Sequence, residues 1–401
     1  THNRDIYLRS DDSIVRHTAG AKRFLRRSRG FVPIPVFLKN EIPPILACGA
    51  ELKNTICVTK QDKAFLSQHI GDLENLPTYE FFELTIAHLK RILDIEPEII
   101  ACDMHPDYLS TRYALELKTD HHIQVQHHHA HIVSCMAEHK QGGALIGLSF
   151  DGTGYGSDGA IWGGEILVAR EHYFERAGHL SYVPMPGSAA AIKEPWRMAV
   201  SYLQNAYGSD FHNLGLAAIT AIDTEKLTVI GDMISKGINS PLTSSLGRLF
   251  DGVAAICGIR QRVSFEGQAA MELEMLATQD TGSIYDYAWD SGDAYRILTG
   301  PIIRGVVDDV VEGKPMGEIS SRFHRTLICL FTDLCVRIGK ERGLNRVVLS
   351  GGVFQNSILL TGLTRALEET GFKVFSHQHV PTNDGGISLG QAVVAAAKVG
   401  R

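Results

Sequence analysis

Apolar and polar positions change period several times along the chain, and the changes mark out its elements. From Ile45 the pattern is apolar strand, turn, strand, with short runs at Ile45–Ala50, Thr55–Val58 and Ala64–Ser67. Helical spacing of apolar residues follows over Tyr79–Leu93, then another short strand at Ile99–Cys102. A similar plan recurs about a hundred residues later. There Ala144–Phe150 predicts a strand ending in a turn at Asp151–Gly154, with Gly159–Val168 as the returning arm. A largely helical stretch runs from about Lys193 to about Arg342. The chain closes with strand Arg346–Ser350, the pair Gly351-Gly352, helix Ser357–Glu369, strand Phe372–Phe375 and a Gly/Ala-rich helix over Gly386–Lys398. Two hairpin-led α/β units in one chain predict a duplicated fold with a cleft between two lobes.

The first 35 residues differ from the rest. A basic run, Lys22–Gly30, precedes Pro33, Pro35 and Pro43-Pro44, and reads either as a solvated face or as an anion-binding surface. Composition then narrows the class. At 401 residues the chain suggests roughly two domains, and 44% hydrophobic with 21% charged residues excludes a disordered or fibrous protein. No run approaches the ~18 apolar residues of a membrane span. The start at Thr1-His2-Asn3-Arg4, without Met or an apolar signal segment, predicts a soluble, cytoplasmic chain cut from something longer. A net charge of -6 argues against a protein built to grip nucleic acid. Seven scattered cysteines without a CxxC argue against a disulfide framework and a cysteine zinc site.

Histidine carries the sharpest signal. Gln126-His127-His128-His129-Ala130-His131 opens an apolar run, and on a helix His127 and His131 share a face and can point two imidazoles at one ion. His128 with His131 is geometrically possible too. Imidazole suits zinc or ferrous iron, with carboxylates completing the sphere. In Asp151-Gly152-Thr153-Gly154-Tyr155-Gly156-Ser157-Asp158, an acidic residue at a strand end is followed by glycines whose backbone N–H groups could approach a phosphate. Gly351-Gly352, leading to Asn356, stands where α/β folds place nucleotides. Asp384 either caps the last helix or reaches into the cleft as a metal ligand. Lys193 and Arg197 could neutralise a phosphate, Asp251 could accept sugar hydroxyls, and Asp103 and His105 follow a strand and could shape a turn. No GxSxG, HExxH or kinase motif set occurs. A metal and a nucleotide in one cleft is the joint expectation.

These motifs, in this order, resemble the C-terminal half of the HypF carbamoyltransferases of hydrogenase maturation. The marks are Leu25–Pro33, Gly49–Thr55, Ser67–Leu73, Asp103–Tyr108, His127–His131, Phe150–Gly154, Ser350–Asn356 and Asn383–Gln391. The resemblance implies an actin/sugar-kinase-type fold of two ribonuclease-H-like lobes. Residues 1–35 would be the tail of a YrdC-like domain, 36–140 the first lobe, and 141–401 the second lobe with a helical insertion. It implies that the family makes carbamoyl-adenylate from carbamoyl phosphate and ATP, then carbamoylates the C-terminal cysteine of the partner HypE for cyanide ligand synthesis. His127, His131, Asp384 and Asp151 would hold one Fe or Zn, with Mg²⁺ a further cation. Gly152, Thr153, Gly154, Asp158, Asp251, Gly351, Gly352 and Asn356 would hold the AMP moiety, and Asp151, Lys193 and Arg197 would serve the chemistry. No nucleic acid and no membrane are expected as partners. The rival readings are a tRNA threonylcarbamoyl-transferase-like enzyme and an actin-like ATPase or kinase of the same fold.

Overall fold

The computed structural model describes residues 6–119, 121–278 and 282–400. A hairpin of β1 (Ile14–Thr18) and β2 (Ala21–Arg26) comes first. The basic run forms β2 and is partly structural. Arg23 donates to the Ser376 hydroxyl at 2.9 Å and to the His377 carbonyl, and buried Arg27 donates to the Ile34 carbonyl at 2.6 Å.

The first lobe contains β3 (Val36–Ile42), β4 (Ile45–Ala47), β5 (Cys57–Leu66), α1 (Leu76–Leu93), β6 (Ile99–Asp103), α2 (Leu109–Glu116), β7 (His122–Val125) and α3 (His127–Glu138). Thr55–Val58 and Ala64–Ser67 were expected as separate strands. Cys57-Val58 of the first and Ala64–Leu66 of the second instead lie in the single strand β5, which passes through Gln61 in the left-handed region at φ 57°. Helix α1 starts ahead of its expected position because the Asn75 side chain caps it, accepting from the Thr78 N–H at 3.0 Å.

The second lobe begins with β8 (Leu145–Tyr155), β9 (Ile161–Ala169), β10 (Phe174–Leu180) and β11 (Val183–Pro184). The helical region holds α4 (Ala189–Lys193), α5 (Trp196–Tyr207), α6 (Ala217–Thr220), α7 (Thr224–Lys236), β12 (Leu242–Thr243), α8 (Leu246–Ile256) and α9 (Gln268–Leu276). It continues through β13 (Ala288–Asp290), β14 (Tyr295–Leu298), α10 (Thr299–Val311) and α11 (Met316–Arg342). Then come β15 (Arg346–Ser350), α12 (Ser357–Glu369), β16 (Lys373–Ser376) and α13 (Ile387–Val399).

The two sheets repeat one pairing pattern. In β3-β5-β4-β6-β7 the four successive pairings are antiparallel, antiparallel, parallel and parallel, and β10-β9-β8-β15-β16 repeats them. Connectivity differs at one edge, where β3 precedes its unit in the chain and β10 follows. The expected two-lobed α/β architecture, duplicated as in the actin and sugar-kinase folds, is what the chain adopts.

The last helix of each half crosses over. Helix α3 packs on β8, β9 and β15 of the second sheet, and α13 packs on β4, β5 and β6 of the first. Between the sheets the two helices lie against each other, burying Ala130, Val133, Ala137, Leu389, Ala392 and Ala395. Small residues permit the close approach: a Cβ on Gly390 would lie 1.9 Å from the Ala130 carbonyl oxygen.

One element departs from expectation in a way that matters. The predicted turn at Asp151–Gly154 does not exist; β8 continues to Tyr155 and the chain reverses at Gly156–Ala160. The ladder shows why Asp-Gly sits there. Pairing with β9 jumps from Phe150↔Gly164 to Gly154↔Trp162, so Asp151, Gly152 and Thr153 form a bulge opposite Gly163. The Ser245 hydroxyl serves both carbonyls released by the bulge, lying 2.8 Å from that of Asp151 and 2.7 Å from that of Gly152. Gly163 is required, since a Cβ would come 2.5 Å from the Asp151 carbonyl oxygen.

Two glycine substitutions test this packing. Gly390→Ala should destabilise the chain by about 1–3 kcal/mol, because the Ala130 backbone cannot yield. Gly231→Ala, in helix α7 with open space around it, should stabilise by about 0.5–1 kcal/mol. Urea unfolding of both variants reads the contrast, and a neutral Gly390→Ala would contradict the close α3–α13 contact.

Candidate functional site

The N-terminus of α3 is fixed before its histidines are used. The Gln126 side chain caps it, accepting from the His129 N–H at 2.8 Å. One turn apart, His127 and His131 then present Nε2 to the same point. Asp151 Oδ2, turned inward by the bulge, lies 3.4 Å from His127 Nε2 and 3.1 Å from His131 Nε2. Asp384 Oδ1 lies 3.9 and 3.7 Å from the same two nitrogens. The four ligand atoms fall within 4.8 Å of one another. A tetrahedral ion with bonds near 2.0–2.2 Å spaces its ligands about 3.3–3.6 Å apart, so the donor set fits Zn²⁺ or Fe²⁺.

The geometry groups His127 with His131 and leaves His128 apart. His128 lies outside the group; its Nδ1 is 3.1 Å from the Gln126 amide nitrogen, and burial pushes its pKa well down. His129 lies 2.7 Å from the Arg170 carbonyl through Nε2. Asp384 is not the cap either. Asn383 accepts from the Gly385 N–H at 3.1 Å, which frees the Asp384 carboxyl for the cleft.

Electrostatics point the same way. Burial, then repulsion from Asp151, push the Asp384 carboxyl up to about 7. Burial would raise Asp151 too, but hydrogen bonds from His127 and His131 hold it well below the usual range. His131 is lowered, chiefly by burial. Burial also opposes charge on His127, yet Asp103 overcomes it and raises His127 well above 6.5. Two carboxylates crowded in a buried site are relieved by a cation.

Asp103 ends β6 and is buried, with Oδ2 2.8 Å from His127 Nδ1 and Oδ1 accepting from the His105 N–H at 2.9 Å. An N–H on Nδ1 donates to Asp103, which leaves Nε2 for the cluster and fixes the ring. In sequence this residue reads as one that shapes a turn, and its position at a strand end was the available signal.

A cleft of about 780 Å³ opens from the cluster. Asp151, Asp384, Gly152, Gly352 and Lys53 line one end, while Phe250, Ala270, Met271 and Ile358 give an apolar wall beside Asp251 and Asn356. Gly351 (φ 109°) lets the chain pass under Phe150, whose carbonyl oxygen would lie 2.2 Å from a Cβ there. The Gly352 N–H donates to Asp151 Oδ1 at 3.3 Å. Asp251 is buried beside Arg248 at 2.9 Å, and burial pushes its pKa up to about 6. Asn356 is held in place at the cleft: its amide nitrogen lies 2.8 Å from His324 Nε2, and its oxygen caps α12 by accepting from the Leu359 N–H at 2.9 Å.

Other expected residues fall elsewhere. Gly154 makes room for the histidines, since a Cβ would come 2.5 Å from His128 and 2.7 Å from His127. Thr153 is half-buried in the bulge and is not among the cleft-lining residues. Asp158 holds the hairpin turn, accepting from the Ala160 N–H at 3.1 Å and Trp162 Nε1 at 2.9 Å. Lys193 is exposed at the end of α4, and Arg197 pairs with Glu194 at 2.6 Å; neither lines the cleft. Lys53, Arg248 and Glu266 carry charge into the cleft without having been singled out. All seven cysteines are free thiols. Burial pushes those of Cys57, Cys102 and Cys257 up to about 12. Among the described residues no helix is long and apolar enough to cross a membrane.

Comparison with known proteins adds relatives. The family model described as HypF Kae1-like domain matches residues 40–138, and the one described as carbamoyltransferase, Kae1-like domain, second subdomain matches 147–391. The chain is 44% identical over 396 residues to a carbamoyltransferase HypF of Rhizobium leguminosarum bv. viciae, covering 98% of this chain and 51% of that protein. It is 31% identical to a carbamoyltransferase HypF homolog of Cupriavidus necator, covering 88% of this chain and 91% of that one. A crystal structure of full-length HypF in the phosphate- and nucleotide-bound form superposes with a TM-score of 0.95 at 46% identity, over 99% of this chain and 62% of that chain. The T. kodakarensis HypF structure gives 0.90 at 32% identity, over 100% of this chain and 53% of that one. The chain thus spans about half the length of several relatives it matches.

Two measurements probe the site. Asp103→Asn should weaken metal retention about 10–100-fold with the fold intact, read by competition with a chelator; unchanged retention would remove Asp103 from its orienting role. His324, pushed by burial from its ordinary 6.5 to about 4, binds a proton less readily folded than unfolded. Its contribution is therefore present above about pH 6.5 and lost as pH falls towards 4. The stability gap between the parent chain and His324→Gln should shrink by up to roughly 3 kcal/mol from pH 7 to pH 4, as read by denaturant titration.

Proposed function

The chain belongs to the HypF carbamoyltransferase family, and from that premise we propose that its cleft transfers a carbamoyl group from carbamoyl-adenylate to the C-terminal cysteine of HypE, towards the cyanide ligand of nickel–iron hydrogenase. The carrying observation is that the four converging donors His127, His131, Asp151 and Asp384 stand at one end of a cleft large enough for a nucleotide.

His127, His131, Asp151 and Asp384 would hold one divalent Fe or Zn, which supplies Lewis-acid polarisation of a bound carbonyl or phosphoryl oxygen. The remaining roles belong to the chain. Asp103 orients the His127 ring. Gly152 and Gly352 give their N–H groups to Asp151 Oδ1 and carry no side chain beside the cluster, so an anhydride oxygen can come close. Asp251, paired with Arg248 at 2.9 Å on the cleft wall, accepts from ribose hydroxyls. The apolar wall of Phe250, Ala270 and Met271 covers the base and keeps out water. Positioning and electrostatics carry the rate, since the nucleophile comes from outside. That assignment agrees with the buried thiols, whose raised pKa values keep them protonated and unreactive.

The rivals fit less well. A kinase or actin-like ATPase needs an acidic base and Mg²⁺, and two imidazoles at the reacting end suit a softer ion. A tRNA substrate sits poorly with a net charge of -6.

Preformed carbamoyl-adenylate, HypE and the metal-loaded chain form the test. HypE should gain one carbamoyl group on its terminal cysteine by mass spectrometry, and HypE lacking that residue should gain none. Asp384→Ala should slow transfer about a hundredfold, as loss of a metal ligand implies. A kinetically competent carbamoyl adduct on one of the seven cysteines of this chain would establish a ping-pong route and overturn direct attack.

A further inference from the structure

An ion pair between Lys53 and Glu266 joins the two halves of the molecule across the cleft. Lys53 stands on the loop between β4 and β5, and Glu266 precedes α9; the Lys53 ammonium is paired with the Glu266 carboxylate. The other cleft cations are tied within their own surroundings. Arg248 pairs with Asp251 one helical turn away at 2.9 Å, and Arg16 pairs with Glu274 at 3.7 Å while donating to the Gln355 carbonyl at 3.3 Å.

Lys53 is placed with unusual firmness. Its backbone is left-handed at φ 47°, which L side chains adopt reluctantly. The loop holds it there. The Lys53 N–H donates to Asp72 Oδ1 at 2.8 Å, the Asn54 N–H to the Gly71 carbonyl at 2.9 Å, and the Asn54 side chain to the Cys48 carbonyl at 2.9 Å. A rigid, disfavoured backbone thus carries a long flexible cation into the cleft beside Asp151, Asp384, Gly152 and Gly352. Burial opposes its charge, yet Glu266, then Asp384 and Asp151, hold its pKa up.

The partner is held loosely. Side-chain exposures of 31% for Lys53 and 49% for Glu266 leave the pair open to water, where such pairs contribute little and exchange easily. An ammonium is a compact point charge with three donors, suited to phosphate oxygens. Lys53 lines the cleft with Gly152 and Gly352 and feels the charges of Asp384 and Asp151, at the end of the cleft where a phosphate would lie beside a bound cation.

We propose that Lys53 binds the phosphate of a nucleotide in this cleft, and that Glu266 is its counter-ion only until the phosphate arrives. This rests on the nucleotide reading of the cleft given above. Binding therefore trades an inter-lobe ion pair for a contact between Lys53 and the ligand, and Glu266 is released to solvent.

Calorimetric titration of the chain with AMP and with adenosine separates the terms. The parent chain should prefer AMP. Lys53→Met should lower AMP affinity about 10–100-fold, the worth of a charge-assisted hydrogen bond, and leave adenosine affinity within about twofold. Lys53→Arg should keep most of the preference for AMP. Glu266→Gln should raise AMP affinity about two- to fivefold, since the competing anion is gone. Adenosine binding by each variant shows that the cleft is intact. An unchanged AMP-to-adenosine ratio in Lys53→Met would overturn the assignment while leaving the cleft a nucleotide site. Failure of the parent chain to bind either compound would overturn both readings.

Discussion

The contact between α3 and α13 governs where every other functional part can stand. At Gly390 and Ala130 the two backbones approach more closely than any side chain would allow. Each helix lies on the sheet of the opposite lobe, so the lobes are interlocked through their last helices. His127 and His131 open α3, and Asp384 lies just before α13. Three of the four candidate ligands therefore sit on one seam, and their spacing follows from the helix pair. The fourth, Asp151, needs a separate device, the bulge that turns it out of the β8 ladder. Helix packing and a strand irregularity thus set distances of 3.1–3.9 Å that neither alone would fix.

What was legible in the sequence was whatever repeats locally. The i,i+4 histidines, the Gly351-Gly352 turn after a strand and the Gly/Ala-rich last helix declared themselves through spacing, and so did the recurrence of strand patterns behind the duplicated fold. What was not legible depends on partners distant in the chain. Asp151-Gly152 has the composition of a turn, and only the Ser245 hydroxyl and the bare Gly163 make it a bulge. Asp103 is an ordinary acid after a strand until β7 leads straight into α3 beside it. Asp251 resembles a solvated helix residue and is instead buried against Arg248. Gly154, expected to approach a phosphate, is small because two imidazole rings occupy the space.

The charge distribution divides the chemistry between this chain and its surroundings. Acidic groups converge where burial penalises them, which makes the site hungry for positive charge and shuts out a second anion unless a cation accompanies it. Six of the seven thiols are treated the opposite way, buried where the thiolate is disfavoured.

The helix exchange also bears on how the molecule is made. The first sheet is complete in sequence by Val125, yet one of its faces is covered by α13, which the ribosome delivers only after the entire second lobe. Until then β4, β5 and β6 present an open apolar surface, while α3 touches the first sheet through β3 and gains its contacts with β8, β9 and β15 only later. Contacts of such long sequence separation form late and leave sticky intermediates exposed. The donor set at the seam is therefore complete only once synthesis has reached Asp384, the last of the four donors along the chain.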